Sequence, residues 1–533
     1  MRQTSGETRV STNQTDWDER AAGSATFKPE WFQYVDRVQS PRAVAEALAA
    51  PLAEEATGDG SGGGGGGQCT AVSDLLAGFA APEWVPAEYQ VRGVEWLATR
   101  PAGALFLPPG MGKSSIALGA KEMLNAMGYR SRVLLLAPLT VCLTTWQTEP
   151  QKWLQFQGLK VGIAHGPDKH LVLQDDYYDI VVLNYDGISW AAPLLASGHN
   201  FDILLCDEIQ RLKHTSSKRF KTLKPLLPSF SFRWGLTGTP AANGLMDLFG
   251  QVYTLDLGER LGRFITHFRL KYFHQNSWEQ FKYHITDRKA EDLVAKISDM
   301  AMYMDPKEWL QLPPLLDVVL PVELDKKTKL QYLDLEVNFI MQLESGVVTA
   351  SNAGVLTSKL RQFTGGAVYS SLDVWDTVHT VKIDRLKDLV DEMAGEPLMV
   401  AYQFEHEYVR LMAALPGAMA IKGGMSRLKL QTVVETWNSG QLPVLLVQPA
   451  AAALGLNLQF GGSAICWFSM TYNLEEYIQL IARLLRRGQE KPVRNYMITA
   501  KGTVDEAIAK IMVVKDATQQ MVFTALKSIR NKL

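Results

Sequence analysis

The sequence lacks the features that mark membrane, secreted and zinc-binding proteins. None of its uninterrupted apolar runs approaches the roughly 18 residues that a membrane span needs. The polar start MRQTSGETRVSTNQTDWDER contains no apolar segment of a signal peptide. The few cysteines form no CxxC pair and no Cys/His cluster at zinc spacing: Cys69, Cys142, Cys206 and Cys466. We therefore expect an intracellular, cytoplasmic protein with no membrane partner and no structural zinc site.

The chain also lacks a strong charge of either sign. Its formal net charge is −2 and its isoelectric point is about 6.5, so no global positive field points to a polyanionic partner. If nucleic acid binds, it must bind in a local groove. With 533 residues, 47% of them hydrophobic, the chain is expected to form about two to four domains of roughly 150 residues each.

A glycine tract separates the N-terminal part from the rest of the chain. Residues 58–67, GDGSGGGGGG, are expected to act as a flexible linker. Residues 1–57 combine polar sequence with the aromatic cluster FKPEWFQYV and an alanine-rich stretch. This composition is typical either of a partly disordered extension or of a small partner-binding module.

Beyond the linker, short apolar strands alternate with segments of helical periodicity, which is typical of βαβ units around a parallel sheet. The pattern predicts a first lobe at 80–255, a helical, aromatic-rich middle segment at 256–380, a second lobe at 381–515 and a C-terminal helix at 516–533. The expected strands of the first lobe are Ala104–Leu107, Val133–Ala137, Ile180–Asn184, Ile203–Cys206 and Trp234–Leu236. Those of the second lobe are Leu398–Tyr402, Met419–Ile421, Val444–Val447, Ala464–Trp467 and Tyr496–Ile498.

A phosphate-binding loop is predicted where the apolar run AGALFL meets PPGMGKSS and then the helical segment IALGAKEML. Gly110 and Gly112 let the backbone turn so that its N–H groups face a phosphate. Lys113 can reach the β- and γ-phosphates, and Ser114 can place its hydroxyl on Mg²⁺. The full signature has another glycine where this chain has Leu107. A Gly/Pro turn before an ordinary helix therefore stays open as the alternative.

Two adjacent acids, Asp207 and Glu208, follow the apolar strand FDILL. In phosphoryl transfer to water, Asp207 would join the Mg²⁺ shell and Glu208 would act on the attacking water. A loop or helix cap is the alternative. Further along, WGLTGTP carries Thr237 and Thr239, either as a hydroxyl relay between phosphate and second lobe or as a threonine-rich turn before proline.

The segment QLIARLLRRGQ places Gln479, Arg483 and Arg486 four and three residues apart, on one face of a predicted helix. A solvated basic face is one interpretation. The other is an arginine finger, in which an arginine of the second lobe closes on the γ-phosphate. Hydrolysis would then depend on the two lobes coming together.

In order and content, these segments resemble the motifs of superfamily 2 helicase-like ATPases, and among them the SWI/SNF-type translocases. The resemblance runs from Glu83 to Lys515. EYQVRGVEWL is similar to the adenine-reading element, LLLAPLTVCLTTWQTEPQKW to the segment that touches the nucleic-acid backbone, and DEIQRLKH to the DEAH-type box. LTGTPAANGLMDLFG, GLNL and TVDEAI complete the series. The segment WFSMTYNLEEYIQ looks most like the compact versions that bacteriophages encode.

The resemblance implies an α/β fold with two RecA-like parallel-sheet lobes, that of a P-loop NTPase, and Mg²⁺ with ATP as the cofactor. The implied ATP-binding residues are Gln90, Pro109, Gly110, Met111, Gly112, Lys113, Ser114, Gly455 and Gln479. The implied metal ligands are Ser114 and Asp207, and the implied catalytic residues are Lys113, Asp207, Glu208, Arg483 and Arg486. Coupling between the lobes falls to Gln210, Thr237 and Thr239. Candidate nucleic-acid contacts are Pro138, Thr140, Lys152, Lys213 and Asn457.

One residue departs from the family pattern in a way that bears on coupling. Gln210 stands where the family usually has a histidine that helps to couple ATP to the opposite lobe. An amide can still donate and accept hydrogen bonds. The substitution puts the strength of the coupling in question.

The leading hypothesis is a monomeric DNA-dependent ATPase that translocates on duplex DNA, remodels junctions or displaces bound protein. A strand-separating helicase on DNA or RNA is a rival enzyme hypothesis, although the sequence alone does not show a separation wedge. A nucleic-acid-binding scaffold with a decayed ATPase is a rival of another class. The intact residues of the nucleotide site argue against decay: Lys113, Asp207, Glu208, Arg483 and Arg486.

Overall fold

A computed structural model describes residues 81–129, 131–275, 283–344, 350–371, 373–454 and 456–530. The N-terminal extension and the glycine linker predicted at 1–57 and 58–67 lie outside the described residues. Apart from residues 125–129, the described residues belong to one compact unit. Within them, none of the helices combines the length and the apolar character that a membrane crossing requires.

The first lobe is built on a parallel sheet of seven strands in the order β3-β4-β2-β5-β6-β1-β9. Its strands read as nearly continuous apolar runs because helices cover both faces. All five strands expected here from the sequence are confirmed. The strands are β1 Ala102–Phe106, β2 Val133–Ala137, β3 Val161–Ile163, β4 Ile180–Asn184, β5 Ile203–Asp207, β6 Phe232–Thr237 and β9 Ala301–Tyr303, with the hairpin β7 Phe273–His274 and β8 His284–Ile285 beside them in sequence.

The helices of this lobe lie between the strands along the chain, in line with the crossover connections that parallel strands need. They are α1 Glu88–Ala98, α2 Lys113–Ala126, α3 Leu139–Leu143, α4 Thr145–Thr148, α5 Lys169–Gln174, α6 Ile188–Ala196, α7 Lys218–Leu223, α8 Leu248–Asp256, α9 Ile265–Tyr272, α10 Asp287–Ile297 and α11 Pro306–Trp309.

The second lobe is built on a parallel sheet of six strands in the order β10-β17-β16-β13-β15-β14. The five strands expected from the sequence are again confirmed. The strands are β10 Leu315–Val322, β13 Leu398–Ala401, β14 Met419–Ile421, β15 Val444–Val447, β16 Ala464–Trp467 and β17 Val493–Ala500, with the separate hairpin β11 Ala367–Ser371 and β12 Val374–Thr377. Its helices are α12 Lys326–Glu344, α13 Ala350–Thr364, α14 Val381–Glu392, α15 Glu405–Ala414, α16 Arg427–Asn438, α17 Leu474–Ile481 and α18 Val504–Arg530.

The middle segment contains helices, as expected, and it also supplies a strand to each sheet. β9 pairs with β1 at one edge of the first sheet, and β10 pairs with β17 at one edge of the second. β9 has only three residues, and β10, LLDVVLPV, contains an aspartate and a proline, and proline is uncommon inside a central strand. The periodicity of the sequence did not reveal either of them.

The C-terminal helix α18 joins the cores of the two lobes. Ile508 and Met512, near its start, are buried in the core of the second lobe. Phe523, about three turns after Met512, is buried in the core of the first lobe and stacks on Tyr303 with ring centroids 4.1 Å apart. The boundary expected between residues 515 and 516 falls inside this single helix.

Candidate active site

The phosphate loop connects β1 to α2 at the carboxyl edge of the first sheet, where open α/β sheets bind their ligands. Gly110 and Gly112 have φ of 87° and 71°, a left-handed conformation that costs glycine nothing. A side chain at Gly112 would also collide with the amide nitrogen of Gln90. This contact places Gln90 of α1 directly against the loop, as the sequence predicts for an ATP-binding residue.

Lys113 lies at the start of α2 and its ammonium is held over the loop. Nζ donates to the carbonyl oxygen of Leu107 at 2.8 Å. Burial lowers the pKa of Lys113, while the carboxylates of Glu208 and Asp207 raise it and Arg483 lowers it further. The phosphate loop, the acid pair and an arginine of the second lobe therefore share one electrostatic site.

Asp207 ends β5 and is buried beneath this loop. Its Oδ2 accepts a hydrogen bond from the indole nitrogen of Trp146 at 2.8 Å, and its main-chain oxygen accepts one from the Tyr185 hydroxyl at 2.8 Å. Burial and the neighbouring Glu208 raise the pKa of Asp207 to about 6, although the Trp146 bond and Lys113 lower it. The sequence did not single out Trp146. The available signal was that a buried indole needs an acceptor.

Asp207 and Ser114 fit the magnesium ion that the resemblance implies. Both offer oxygen ligands, which Mg²⁺ prefers, and Ser114 is in the first turn of α2 beside Lys113. Among the described residues, no group of three or more His, Cys, Asp or Glu side chains is placed to hold a metal. A magnesium ion here would thus depend on nucleotide oxygens and water, as is usual for Mg²⁺ bound with phosphates.

Glu208 adopts a left-handed backbone conformation, with φ 54° and ψ 54°. For a residue other than glycine this conformation costs about 1–3 kcal/mol and is concentrated at functional sites. Its Oε2 accepts from Gln210 Nε2 at 2.6 Å, and its Oε1 accepts from Gln479 Nε2 at 3.3 Å. Gln210 belongs to the first lobe and Gln479 to α17 of the second. The predicted base is therefore held from both lobes.

The two threonines at the end of β6, Thr237 and Thr239, lie next to the phosphate loop. Thr239 N donates to Thr237 Oγ1 at 2.9 Å, and both side chains are buried. A side chain at Gly238, between them, would meet Pro109 of the phosphate loop at 3.0 Å. Among the residues that the structure describes, the Thr239 hydroxyl has no hydrogen-bond partner, so a polar group of this turn is available beside the loop.

The two arginines lie at the site, but the prediction that they occupy a helix face is wrong. α17 ends at Ile481, and the following residues form tight turns in which Arg483 N bonds Leu480 O and Arg486 N bonds Leu484 O. Once the backbone leaves the α-helical ladder, three- and four-residue spacing no longer determines direction. Burial and Arg486 lower the pKa of Arg483 to about 10, while Glu208 raises it.

The two arginines occupy different parts of the site. Arg483 is the one whose charge acts on both Lys113 and Glu208. Arg486 packs over the loop, since a Cβ at Gly110 would lie 3.6 Å from Arg486 Cβ, and the carboxylate of Glu149 raises its pKa against burial. Of the two arginines, Arg483 is the one that interacts electrostatically with the predicted catalytic residues Lys113 and Glu208.

Three of the candidate nucleic-acid contacts lie at or near strand ends. Pro138 caps α3 directly after β2, and Thr140 is exposed on that helix. Lys213 follows β5 and forms an ion pair of 3.0 Å with Asp247. α3 contacts the 3₁₀ turn Pro449–Leu454 of the second lobe, so this surface adjoins the cleft between the lobes.

The remaining candidates are dispersed. Lys152 pairs with Glu149 at 2.5 Å, and Glu149 accepts from Ser115 in α2 at 2.8 Å. This places Lys152 on the nucleotide side of the lobe. Asn457 is exposed, and its carbonyl accepts from Asn438 at 2.9 Å. Gly455, a predicted ATP-binding residue, lies outside the described residues.

Next to Glu208, a polar cavity of about 400 Å³ separates the lobes. Basic side chains of the first lobe line one side, and acidic and amide side chains of the second lobe line the other. Its charged lining includes Arg211, Lys213, Arg219, Glu475 and Glu476. The cleft thus presents opposite charges across the lobe boundary.

Comparison with known proteins agrees with this architecture. The chain matches the SNF2-related domain over residues 89–364 and the helicase conserved C-terminal domain over residues 381–488. It is 32% identical over 467 residues to putative protein p41 of Acyrthosiphon pisum secondary endosymbiont phage 1, covering 83% of this chain and 99% of that protein. The chain belongs to the SNF2-related family of helicase-like proteins.

More distant relatives are longer. The chain is 23% identical over 455 residues to the DNA repair and recombination protein RDH54 of Saccharomyces cerevisiae, which covers 76% of this chain but 46% of the yeast protein. A solved structure, the SWI2/SNF2 ATPase core of Sulfolobus solfataricus in complex with dsDNA, aligns at a TM-score of 0.41 and 18% identity. That alignment covers 83% of this chain and 94% of the other.

Proposed function

We propose that this chain hydrolyses ATP between its two lobes and uses the cycle of lobe closure to move along duplex DNA or to remodel junctions and bound proteins. The observation that carries the proposal is the hydrogen bond from Gln479 of the second lobe to Glu208 of the first, at 3.3 Å. A catalytic carboxylate held from both lobes makes hydrolysis sensitive to their closure. Since one chain supplies both lobes, a monomer suffices.

Each residue of the site has a distinct task. Backbone N–H groups of the loop and the Lys113 ammonium bind the phosphates of ATP. Glu208 orients the attacking water and accepts its proton, while Arg483 stabilises the charge that develops on the γ-phosphate. Ser114 and Asp207 would hold Mg²⁺, which when bound neutralises charge on the β- and γ-phosphate oxygens.

Trp146 provides a test of the magnesium site. Trp146→Phe removes the 2.8 Å hydrogen bond to Asp207 but keeps most of the buried ring. We expect the Mg²⁺ concentration for half-maximal hydrolysis to rise about tenfold, the low end for loss of an outer hydrogen bond to a metal ligand. Titration of ATPase activity with Mg²⁺ measures this. Trp153→Phe is the matched control, because the Trp153 indole nitrogen has no hydrogen-bond partner in the described part of the chain. If Trp146→Phe needs the same Mg²⁺ concentration as wild type, the assignment of Asp207 as a Mg²⁺ ligand is contradicted.

We propose DNA as the nucleic acid along which the protein moves, because of its family and the geometry of its cleft. The yeast relative is named as a DNA repair and recombination protein. Contacts to phosphates carry no sequence information, which suits a motor that must step along any sequence. The helix N-terminus at Pro138, the exposed Thr140 and the adjoining cleft offer such contacts without a strongly basic surface.

Nucleic acid is expected to stimulate the ATPase. If the closed arrangement is about 10% populated in the free protein, a bound strand that favours closure raises turnover about tenfold. ATP hydrolysis should be measured without nucleic acid and with single-stranded DNA, duplex DNA or RNA, and the largest stimulation is expected with duplex DNA. If turnover is already maximal without nucleic acid and no nucleic acid changes it, the proposal of a nucleic-acid motor is contradicted.

Two rivals give different results in the same experiments. A strand-separating helicase would release the labelled strand of a tailed duplex in an ATP-dependent assay, whereas we expect no release. Stronger stimulation by RNA than by DNA would identify RNA as the nucleic acid along which the protein moves. A scaffold with a decayed ATPase would bind nucleic acid and hydrolyse no ATP under any condition.

A further inference from the structure

Glu475 is a charged residue of the cleft that the mechanism above does not use. It lies in the first turn of α17, one helical turn before Gln479. Gln479 Nε2 donates to Glu475 Oε1 at 3.4 Å and to Glu208 Oε1 at 3.3 Å. The amide of Gln479 therefore bridges two carboxylates, one from each lobe.

Gln210 acts on the same two carboxylates from the first lobe. Its Nε2 donates to Glu208 Oε2 at 2.6 Å, and its side chain lowers the pKa of Glu475. Gln210 and Gln479 are both buried. A primary amide has two N–H donors, so each of these amides can serve both carboxylates. The four side chains, Glu208, Gln210, Glu475 and Gln479, thus form a ring of neighbouring groups that crosses the lobe boundary twice: hydrogen bonds make three of its links, and the fourth is the influence of Gln210 on Glu475.

The ring has a consequence for the orientation of Glu208. An ionised carboxylate offers about four lone-pair positions, so two amide bonds leave room for a water molecule. The rotation of each amide is restricted when its second N–H is bound to Glu475. Without Glu475, both amides are free to turn away and Glu208 loses its fixed direction.

The surroundings of Glu475 disfavour its ionised form. Burial and the charge of Glu208 raise the pKa of Glu475, while Arg211, the bond from Gln210, and Lys213 lower it. Two acids facing each other across a buried boundary repel. Bridging amides and nearby cations offset that repulsion only while the lobes are together.

We propose that Glu475 is a positioning residue, which orients Gln210 and Gln479 so that lobe closure sets the direction of the catalytic Glu208. The proposal rests on the proposed ATPase activity. It assigns a role to the amide at position 210, where the resemblance implies a histidine: the amide pairs with a carboxylate that this chain supplies from its second lobe.

The test is a double-mutant cycle on the full chain. Glu475→Ala is expected to lower the kcat of the DNA-stimulated ATPase about tenfold, with the KM for ATP nearly unchanged, since no nucleotide contact is removed. Gln210→Ala should have a similar effect. The double variant should be no slower than the slower single variant, because both changes break one ring and residues in one network are not additive.

Controls separate this role from a merely structural one. Glu435→Ala removes the same charge from another helix of the second lobe, α16, where the exposed Glu435 accepts a hydrogen bond from the Gln431 amide at 2.8 Å, and its kcat should stay near wild type. Glu475→Gln keeps the shape and is expected to slow turnover too, because it sets an N–H₂ against the amide N–H groups. Equal loss in Glu435→Ala and Glu475→Ala, additive effects in the cycle, or an unchanged kcat in Glu475→Gln would overturn the proposal.

The wild-type protein distinguishes failure of this proposal from failure of the proposed function. If wild type hydrolyses ATP in a DNA-dependent way and the Glu475 variants match it, only the positioning role is wrong. If wild type hydrolyses no ATP with any nucleic acid, the proposed function fails, and the positioning role with it.

Discussion

Arg483→Ala is expected to lower the DNA-stimulated turnover number by about 10³-fold or more, the range measured for arginine fingers in phosphoryl transfer. Arg483 is the arginine whose charge reaches both Lys113 and Glu208. A finger acts mainly on charge that develops in the transition state, so the dissociation constant for ATP should change far less than turnover. Both constants should be measured for each variant with duplex DNA at saturating ATP.

Conservative and distant substitutions sharpen this prediction. Arg483→Lys keeps the charge and loses the planar fork, so it should be nearly as slow as Arg483→Ala. Arg486→Ala is expected to affect ATP affinity as well as turnover, because Arg486 packs over Gly110 of the phosphate loop. Arg494→Ala, an arginine of the same lobe whose partner is Glu396, serves as the control. If the Arg483 and Arg486 variants both turn over at the wild-type rate, the second lobe does not complete the active site.

Lys113→Met is expected to abolish ATP hydrolysis, with a loss of about 10³-fold or more, comparable to the loss of a finger. The ammonium lies over the loop, 2.8 Å from the Leu107 carbonyl, and no other lysine starts a helix at this loop. Methionine has a similar length and no charge, so it removes the phosphate ligand and leaves the packing nearly intact. Hydrolysis rate, ATP affinity and thermal midpoint report these effects separately.

DNA binding in the absence of ATP should survive this substitution. The predicted backbone contacts at Pro138 and Thr140 follow β2, whereas Lys113 follows β1. Burial lowers the pKa of Lys113, which means that its charged form is disfavoured in the folded protein. We therefore expect Lys113→Met to leave the thermal midpoint unchanged. Lys160→Ala, at an exposed lysine, is the control. Parallel loss of ATP hydrolysis and DNA binding would mean that Lys113 is a structural residue.

Local signals in the sequence were sufficient for the strands and the phosphate loop. The central strands are apolar on both faces, so their positions could be predicted to within two or three residues at each end. Gly110, Gly112 and Lys113 could be assigned together because only glycine tolerates the backbone of such a loop. Asp207 and Glu208 followed from their place at a strand end. Each of these features is specified by neighbouring residues in the chain.

Features that depend on contacts between distant segments could not be read in this way. The turns after Ile481 interrupt the helical spacing of Gln479, Arg483 and Arg486, and they form where the chain packs against the phosphate loop. Trp146 was not identified because its acceptor, Asp207, is 61 positions away in sequence. The strand β9 has only three residues and β10 contains a proline, so their pairing with β1 and β17 is what identifies them as strands.

The sequence by itself determined the two parallel-sheet lobes, the nucleotide loop and the acid pair, because strand periodicity and turn chemistry are properties of short segments. Only the tertiary structure decided which arginine lies beside Glu208, that one helix from Val504 to Arg530 joins both cores, and that Glu475 closes a ring of amides and carboxylates. The physical reason is that hydrogen bonds and charge interactions across the cleft depend on separations of a few ångströms between segments hundreds of residues apart. Sequence spacing does not specify those separations until both sheets have formed and packed.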